Sequence, residues 1–561
     1  MSGRSWGKAF AVVIALAEHV CALTGPSITA GTSRSLKSSS LCLSSSPTTG
    51  SANIAVCNDR DTWDREEWLN GWSTVQTEDQ YALEGDFPAD LHGTFFQNGH
   101  AKFHVGERDL VMHPFDGDGM VKAVTFKNGK AWFRNRFVQT PGYKEELAKG
   151  KICYRGLFGT AKGGGAWYRN IFDVRLKNVA NTNVVYANNR LFALWEGGKP
   201  FELNPATLET IGESDMDGTL ATDDNYSAHY KLDPSTGNLC NFSILQGASS
   251  DPNESHTVLV LEHDPKTLEL LYKRRVTIPG FGLAHDCAIT NDYFVLFQAA
   301  TKIDPLPFVL GRKGVAQCIA MDDSGTCQLH LIPRGADHDE SETISIDLPT
   351  CFSFHVANAF QEQDDIVVVD VVLADRVLMS NPVETPGRRP EWETVDFAKD
   401  HPSYALTRVR VDVVKKKVLS MTSMTGEGSK NIDFPALHPD KVGSSYQYAY
   451  CVAGASTSTV QPHHGLLKVD VEKGRVLEKW LPDHDYEFMS EPVFVPRDGL
   501  AEDDGYLVGY LMNGRDKTTH IVVFDAQLIV KGPVAKAPLR DFMPHSLHGA
   551  FVKDYVPSMA E

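Results

Sequence analysis

Leu232-Asp-Pro-Ser-Thr-Gly237 ends a strand and turns the chain back, and the same construction stands at Leu203-Asn-Pro-Ala-Thr207 and His263-Asp-Pro-Lys-Thr267. Proline presets φ for a tight turn, while Asn or Asp bonds the backbone two residues on. Val411-Asp-Val-Val-Lys415 and Val469-Asp-Val-Glu-Lys-Gly474 are degraded copies. Around them lie short runs of β-branched and aromatic residues bounded by Asn, Asp or Gly. Thr182-Asn-Val-Val-Tyr-Ala187, Tyr293-Phe-Val-Leu-Phe297 and Ile366-Val-Val-Val-Asp-Val-Val-Leu373 are examples. Convincing helices are few. Antiparallel hairpins repeated along an all-β chain point to radial repetition, a propeller. The spacing is too irregular to count blades, so a sandwich or double barrel stays open. Gly163-Gly164-Gly165 precedes neither a helix nor a lysine and reads as loop, not phosphate cradle.

Composition narrows the function. The 561 residues are 42% hydrophobic and 22% charged, an ordinary balance for a large core. A formal charge of -18 argues against a surface that neutralises phosphates, so nucleic acid is not an expected partner. The 10 cysteines are scattered with no C-x-x-C pair, which favours buried free thiols over a disulfide scaffold or a zinc-thiolate site.

Residues 1–58 read as an address. Arg4 and Lys8 precede an apolar run from Ala9 to Ala17, too short and interrupted to span a bilayer. From His19 to Asn58 there is no acidic residue, and the stretch is Ser/Thr-rich with Arg34 and Lys37. A signal-like segment followed by a transit-like one predicts delivery to a plastid by a bipartite signal, with secretion as the alternative. Residues 59–561 are predicted to form one β-propeller domain, soluble or peripheral to a membrane.

Among 20 histidines, four stand out by context. They are His229 in Ser-Ala-His-Tyr-Lys-Leu-Asp-Pro, His285 in Gly-Leu-Ala-His-Asp-Cys-Ala-Ile-Thr, His355 in Phe-Ser-Phe-His-Val-Ala-Asn-Ala, and His548 in Pro-His-Ser-Leu-His-Gly-Ala-Phe. Taken singly, each is more often a satisfied core histidine, and spacing does not group them.

From about Gly93 to Val552 the chain resembles the carotenoid cleavage oxygenases. Gly93-Thr-Phe-Phe-Gln-Asn-Gly-His-Ala-Lys-Phe103 is similar to that family's opening block, and His113-Pro-Phe-Asp-Gly-Asp-Gly-Met-Val121 to its H-x-F-D-G-D-G-M signature. Phe133-Arg-Asn-Arg-Phe-Val138, Asn181-Thr-Asn-Val-Val-Tyr186 and Ala193-Leu-Trp-Glu196 follow, and then the four histidine blocks in order. The resemblance implies a seven-bladed β-propeller with a loop and short-helix cap over a metal centre. It implies that His229, His285, His355 and His548 bind Fe²⁺. Four neutral imidazoles suit such a borderline ion, and an octahedral ion so held keeps two positions open.

Ligating histidines need their other ring nitrogen fixed by an acceptor. The resemblance gives that task to Glu196, Asp433 and Glu491, with Asp433 standing where many relatives have glutamate. One methylene shorter, its carboxylate must reach further or be carried closer by the backbone. Tyr230 and Ser546-Leu547 also depart from the family pattern, without removing a ligand.

The implied reaction is oxidative cleavage of a C=C bond in a carotenoid or apocarotenoid by O₂, giving two carbonyl products. Its rivals are stilbene cleavage or retinyl ester isomerohydrolysis on the same fold, and a propeller that binds pigment without turnover. Twenty-eight phenylalanines could wall a polyene tunnel. A membrane contact is expected at Leu306, Phe308, Val309 and Leu310, an apolar run followed by Arg312 and Lys313.

Overall fold

The computed structural model describes residues 55–56 and 60–558, apart from 108, 247–250, 336–341, 364, 378, 380–388 and 427. Nearly all of the expected targeting region 1–58, with Cys21, Cys42 and Cys57, lies outside the described residues. The seven described cysteines are free, six of them buried.

Short antiparallel strands dominate. They form seven blades, each an up-and-down sheet. Blade 2 runs Asn183–Ala187, Arg190–Leu194, Phe201–Leu203, Thr210–Glu213, and blade 3 begins at Lys231–Leu232. Blades 4 and 5 begin at Cys287–Ile289 and Val356–Gln363, and blade 6 at Ile432–Ala436. Blade 7 enters through Glu487–Met489 and Val493–Pro496, both paired with Gly505–Asn513. Blade 1 joins the two ends of the chain. Its strands Gly93–Gln97, Asp118–Lys127, Lys130–Phe137 and Gln80–Leu83 are completed by Gly549–Val552, which pairs with Gly93–Gln97. That pairing closes the ring and leaves the short strand Gly549–Val552 as the inner edge of the blade.

Seven hydrophobic clusters hold the ring, one between each pair of neighbouring blades. The run Ile366–Leu373 shows why its sequence is apolar throughout. Val367, Val369, Val371 and Leu373 face the cluster shared with blade 4, while Val368 and Val372 face blade 6. Side chains alternate between faces, and here both faces are covered. The one acid in the run, Asp370, is buried but chelated by Arg408 at 2.7 and 2.8 Å and by the Tyr446 hydroxyl at 2.8 Å. Without those partners a buried carboxylate would be strongly destabilising.

The recurring turns share one construction. Asn204, Asp233, Asp264, Asp412 and Asp470 each accept, through a side-chain oxygen, a backbone N–H two or three residues on. Each turn then closes on a left-handed residue: Leu208, Gly237, Leu268, Lys416 and Gly474. The degraded copies thus make the same turn without proline, because the Asp side chain supplies the bond that defines it.

Candidate metal centre

Innermost strands of adjacent blades touch side by side around the axis, as Cys287–Ile289 does with Val356–Gln363 and Gly549–Val552 with Asn183–Ala187. Residues entering those strands therefore converge at one end of the ring. His229 lies two residues before Lys231–Leu232 and His285 two before Cys287–Ile289, while His355 and His548 immediately precede Val356–Gln363 and Gly549–Val552. Four blades thus contribute one imidazole each. The ligand atoms of these four histidines all lie within 4.8 Å of one another. The His229 ring centroid lies 4.3, 5.2 and 4.5 Å from those of His285, His355 and His548, and the Nε2 atoms of His229 and His285 face each other at 2.9 Å.

The other three blades supply carboxylates behind the rings. Glu196, after strand Arg190–Leu194, reaches His285 Nδ1 at 2.6 Å. Asp433 reaches His355 Nδ1 at 2.6 Å. Glu491 takes His548 Nδ1 at 2.8 Å through one oxygen and the Gly549 N–H at 2.9 Å through the other. A carboxylate at Nδ1 holds the proton there and turns the Nε2 lone pair inward. His355 Nε2 is buried with no hydrogen-bond partner among the described residues, which suits a ligand position.

His229 has no such acceptor. The nearest carboxylate oxygen, on Asp286, is 3.9 Å from its Nδ1. Asp286 is instead held by the Cys287 and Val356 N–H groups and by Lys231 at 3.0 Å. Burial, reinforced by the other three imidazoles, pushes the pKa of His229 well below the usual histidine range. It is therefore neutral, as a ligand must be. Burial also disfavours charge on His355, but Asp433 outweighs it and raises that pKa. Asp433 and Glu196 stay ionised although burial opposes it, each because of the histidine it faces.

Asp433 reaches its partner through the backbone. Strand Ile432–Ala436 bulges between Asp433 and Ala436, and Phe434 adopts a left-handed φ of 50°. A bulge re-aims the side chain beside it. Here it brings a carboxylate one methylene short to within hydrogen-bond distance, and the Phe434 N–H bonds the same oxygen at 2.9 Å.

The retinal pigment epithelial membrane protein family matches residues 72–553. The chain belongs to this family of carotenoid cleavage oxygenases. The apocarotenoid-15,15'-oxygenase of Synechocystis sp. is 37% identical over 87% of this chain and 96% of its own. Resveratrol cleavage oxygenase 1 of Chaetomium globosum is 28% identical over 85% of each chain. The crystal structure of cobalt-substituted Synechocystis ACO superposes with a TM-score of 0.79 at 34% identity, covering 88% of this chain and all of that one. Like these relatives, the protein is an oxidoreductase of the dioxygenase kind.

In this oxygenase His285, His355 and His548 line a cavity of about 640 Å³, with His229 behind them in the cluster. Phenylalanines such as Phe158, Phe354 and Phe434 line it as expected, and Trp68, Trp72, Trp195 and Trp392 join them. Trp68 makes edge contacts with Trp63, Trp72 and Phe397, and Trp392 packs against both Trp72 and Phe103. Trp68, Trp392 and Phe397 come from helices Arg65–Asn70, Glu391–Thr394 and Phe397–Asp400, short helices that cap the centre, while Trp63 and Trp72 flank the first of them. The tryptophan cluster at 63, 68 and 72 was the only signal for it in the sequence.

The H-x-F-D-G-D-G-M block supports the cavity wall. His113 Nδ1 caps the turn at Phe115, and Asp116 accepts the N–H groups of Phe158 and Thr160 at 3.0 Å each. Gly119 lies where a Cβ would meet the Ala180 carbonyl at 2.2 Å. The motif's second glycine is thus required by close backbone approach.

The expected membrane contact needs correction. Phe308 and Val309 are buried, and Leu310 is half-buried. Phe308 lies beneath the Arg155 guanidinium, 4.0 Å from its ring centre. Of the run, Leu306 alone is exposed.

Proposed function

We propose that the protein cleaves a C=C bond of a carotenoid or apocarotenoid with O₂, using Fe²⁺ held by His229, His285, His355 and His548. The observation that carries this reading is the convergence of four imidazoles, three with Nδ1 locked by a carboxylate, at one end of an aromatic cavity. Bound there, Fe²⁺ would supply open coordination positions at which O₂ can be activated beside the substrate. The chain's own part is to bind and orient the polyene. Aromatic walls hold a conjugated chain by dispersion, exclude water and stabilise positive charge on it. Both oxygen atoms of O₂ end in the two carbonyl products, so no external reductant is consumed, and no side chain has to act as a general base.

The test is to load the chain with Fe²⁺ and offer β-carotene, a hydroxylated carotenoid, an apocarotenal and a stilbene with and without O₂. Aldehydes formed only with O₂, from polyenes, are the expected outcome. A stilbene as the sole substrate cleaved would overturn the substrate reading and keep the centre. Turnover of a retinyl ester without O₂ would overturn the oxygenase chemistry.

Delivery of the polyene implies membrane docking. No described helix is long and apolar enough to cross a membrane. Trp167, Tyr168 and Phe172 are 50, 62 and 68% exposed, and Leu306 adds an aliphatic side chain. Phe172 N–H bonds the Val309 carbonyl, joining the two segments, and nearby Phe158 and Val315 line the cavity. We assign docking to this patch. Trp167→Asp with Phe172→Asp is expected to reduce co-sedimentation with anionic vesicles by roughly tenfold while the melting temperature stays unchanged. Unaltered vesicle binding would remove the patch from consideration. The acid-free stretch up to Asn58 supports plastid delivery, which imaging of a fluorescent fusion tests.

A further inference from the structure

One buried cation beside the cavity has no counter-charge. Lys122, in strand Asp118–Lys127, is 3% exposed, and no charged group among the described residues offsets its burial. Its cross-strand neighbours, Gln97 and Asn135, are neutral amides. Lys177 shows the ordinary arrangement: equally buried, it is held by Asp118 at 2.7 Å and Glu146 at 2.6 Å. A buried charge without such a partner is costly.

What Lys122 does touch leads into the cavity. Its ammonium donates to the Ser546 hydroxyl and lies 4.7 Å from the centre of the Tyr510 ring. A hydroxyl and an aromatic face attract a cation but do not neutralise it. Ser546 and Tyr510 both line the cavity, and Ser546 is only half-buried. Ser546 is also a position at which the chain departs from the family pattern.

The hydroxyl passes the charge on. A serine hydroxyl has one proton to donate and an oxygen that accepts. Lys122 occupies the oxygen. The proton has the Pro544 carbonyl at 3.2 Å, long for a bond between two oxygens. A better acceptor in the cavity takes that proton, with positive charge standing behind the serine. A hydrocarbon end offers no acceptor. An alcohol oxygen accepts, but it brings a proton of its own to place and little negative charge. A conjugated carbonyl brings no proton, and its oxygen draws electron density along the polyene, so the cation favours it most.

We propose that Ser546, charged from behind by Lys122, is the docking point for a conjugated carbonyl group at one end of the polyene. This rests on the reading that a polyene occupies the cavity. Ser546 touches the substrate, whereas Lys122 is a positioning residue that acts through it. By holding one end of a rigid chain they set which double bond lies at the histidines.

The experiment offers the iron-loaded full chain an apocarotenal, the corresponding alcohol and a hydrocarbon polyene of equal length. It is run without O₂ at about pH 6, below the value of about 7 to which burial lowers the Lys122 pKa, so that the amine is charged. Affinity is read by quenching of tryptophan emission, and the absorption spectrum of the bound polyene is recorded. The parent is expected to bind the aldehyde roughly tenfold tighter than the alcohol or the hydrocarbon, because a charge-assisted hydrogen bond is the strong kind. Its bound aldehyde should absorb at longer wavelength than in Lys122→Met or Ser546→Ala, since positive charge at the carbonyl draws electrons along the chain. The hydrocarbon spectrum should be the same in all three proteins. A Lys122→Met protein of normal melting temperature with unchanged aldehyde affinity and spectrum overturns the proposal. An alcohol bound as tightly as the aldehyde, and weakened equally by the variants, overturns the carbonyl assignment. If the affinity ratio and the spectral shift are seen but nothing is cleaved in air, the docking point stands and the cleavage reading fails.

Discussion

His355→Ala is expected to bind almost no iron and to lose cleavage by more than about a thousandfold, since the proposed reaction depends on the metal rather than on a side-chain base. His355 supplies a buried Nε2 with no partner among the described residues, from a ring locked at Nδ1 by Asp433 at 2.6 Å. Truncation removes the imidazole and leaves Asp433, a half-buried carboxylate, with the Phe434 N–H but without its charged-group hydrogen bond to His355. The second loss adds a destabilisation of about 1–3 kcal/mol, the ordinary worth of a hydrogen bond to a charged group. Metal content by elemental analysis, product chromatography and a melting curve separate the two effects. His104→Ala serves as control, because His104 is exposed and outside the cluster. A His355→Ala protein that keeps full iron and activity would end the four-histidine assignment.

Asp433→Ala should retain the fold and lower iron affinity or turnover by about 10–100-fold, the usual effect of removing a carboxylate behind a ligating histidine. The more telling variant is Asp433→Glu. If the longer side chain were simply better, activity would rise. The bulge at Asp433 and the left-handed Phe434 already close the contact to 2.6 Å, so an extra methylene has to displace the ring it supports. A loss of roughly tenfold is expected, since small misplacements of a ligating group are costly. Iron titration followed by turnover at saturating iron reads both parts. Turnover in Asp433→Glu equal to or above the parent's would show that the bulge does not compensate for length.

Much of the fold was legible locally. The Asx-Pro turns and β-branched runs depend on bonds within four or five residues, so Leu232–Gly237 announces its hairpin wherever it stands. Local signals could not count the blades, because blade 1 pairs Gly93–Gln97 with Gly549–Val552. No periodicity connects two segments that far apart. The site was legible by resemblance alone, since the four histidine blocks come from four different blades and spacing carries no information about an axis they share.

The residue types that can do the chemistry, the strand-turn grammar and the glutamates at 196 and 491 stand in the amino-acid order itself. Their burial, their pairing and their shared direction do not. Leu306–Leu310 reads as an interfacial run, yet Phe308 is covered by Arg155, because a side chain's exposure depends on what folds over it. Local sequence governs interactions that span a few bonds, whereas a site is a set of directions in space, and closing seven blades into a ring is what gives those directions a common centre.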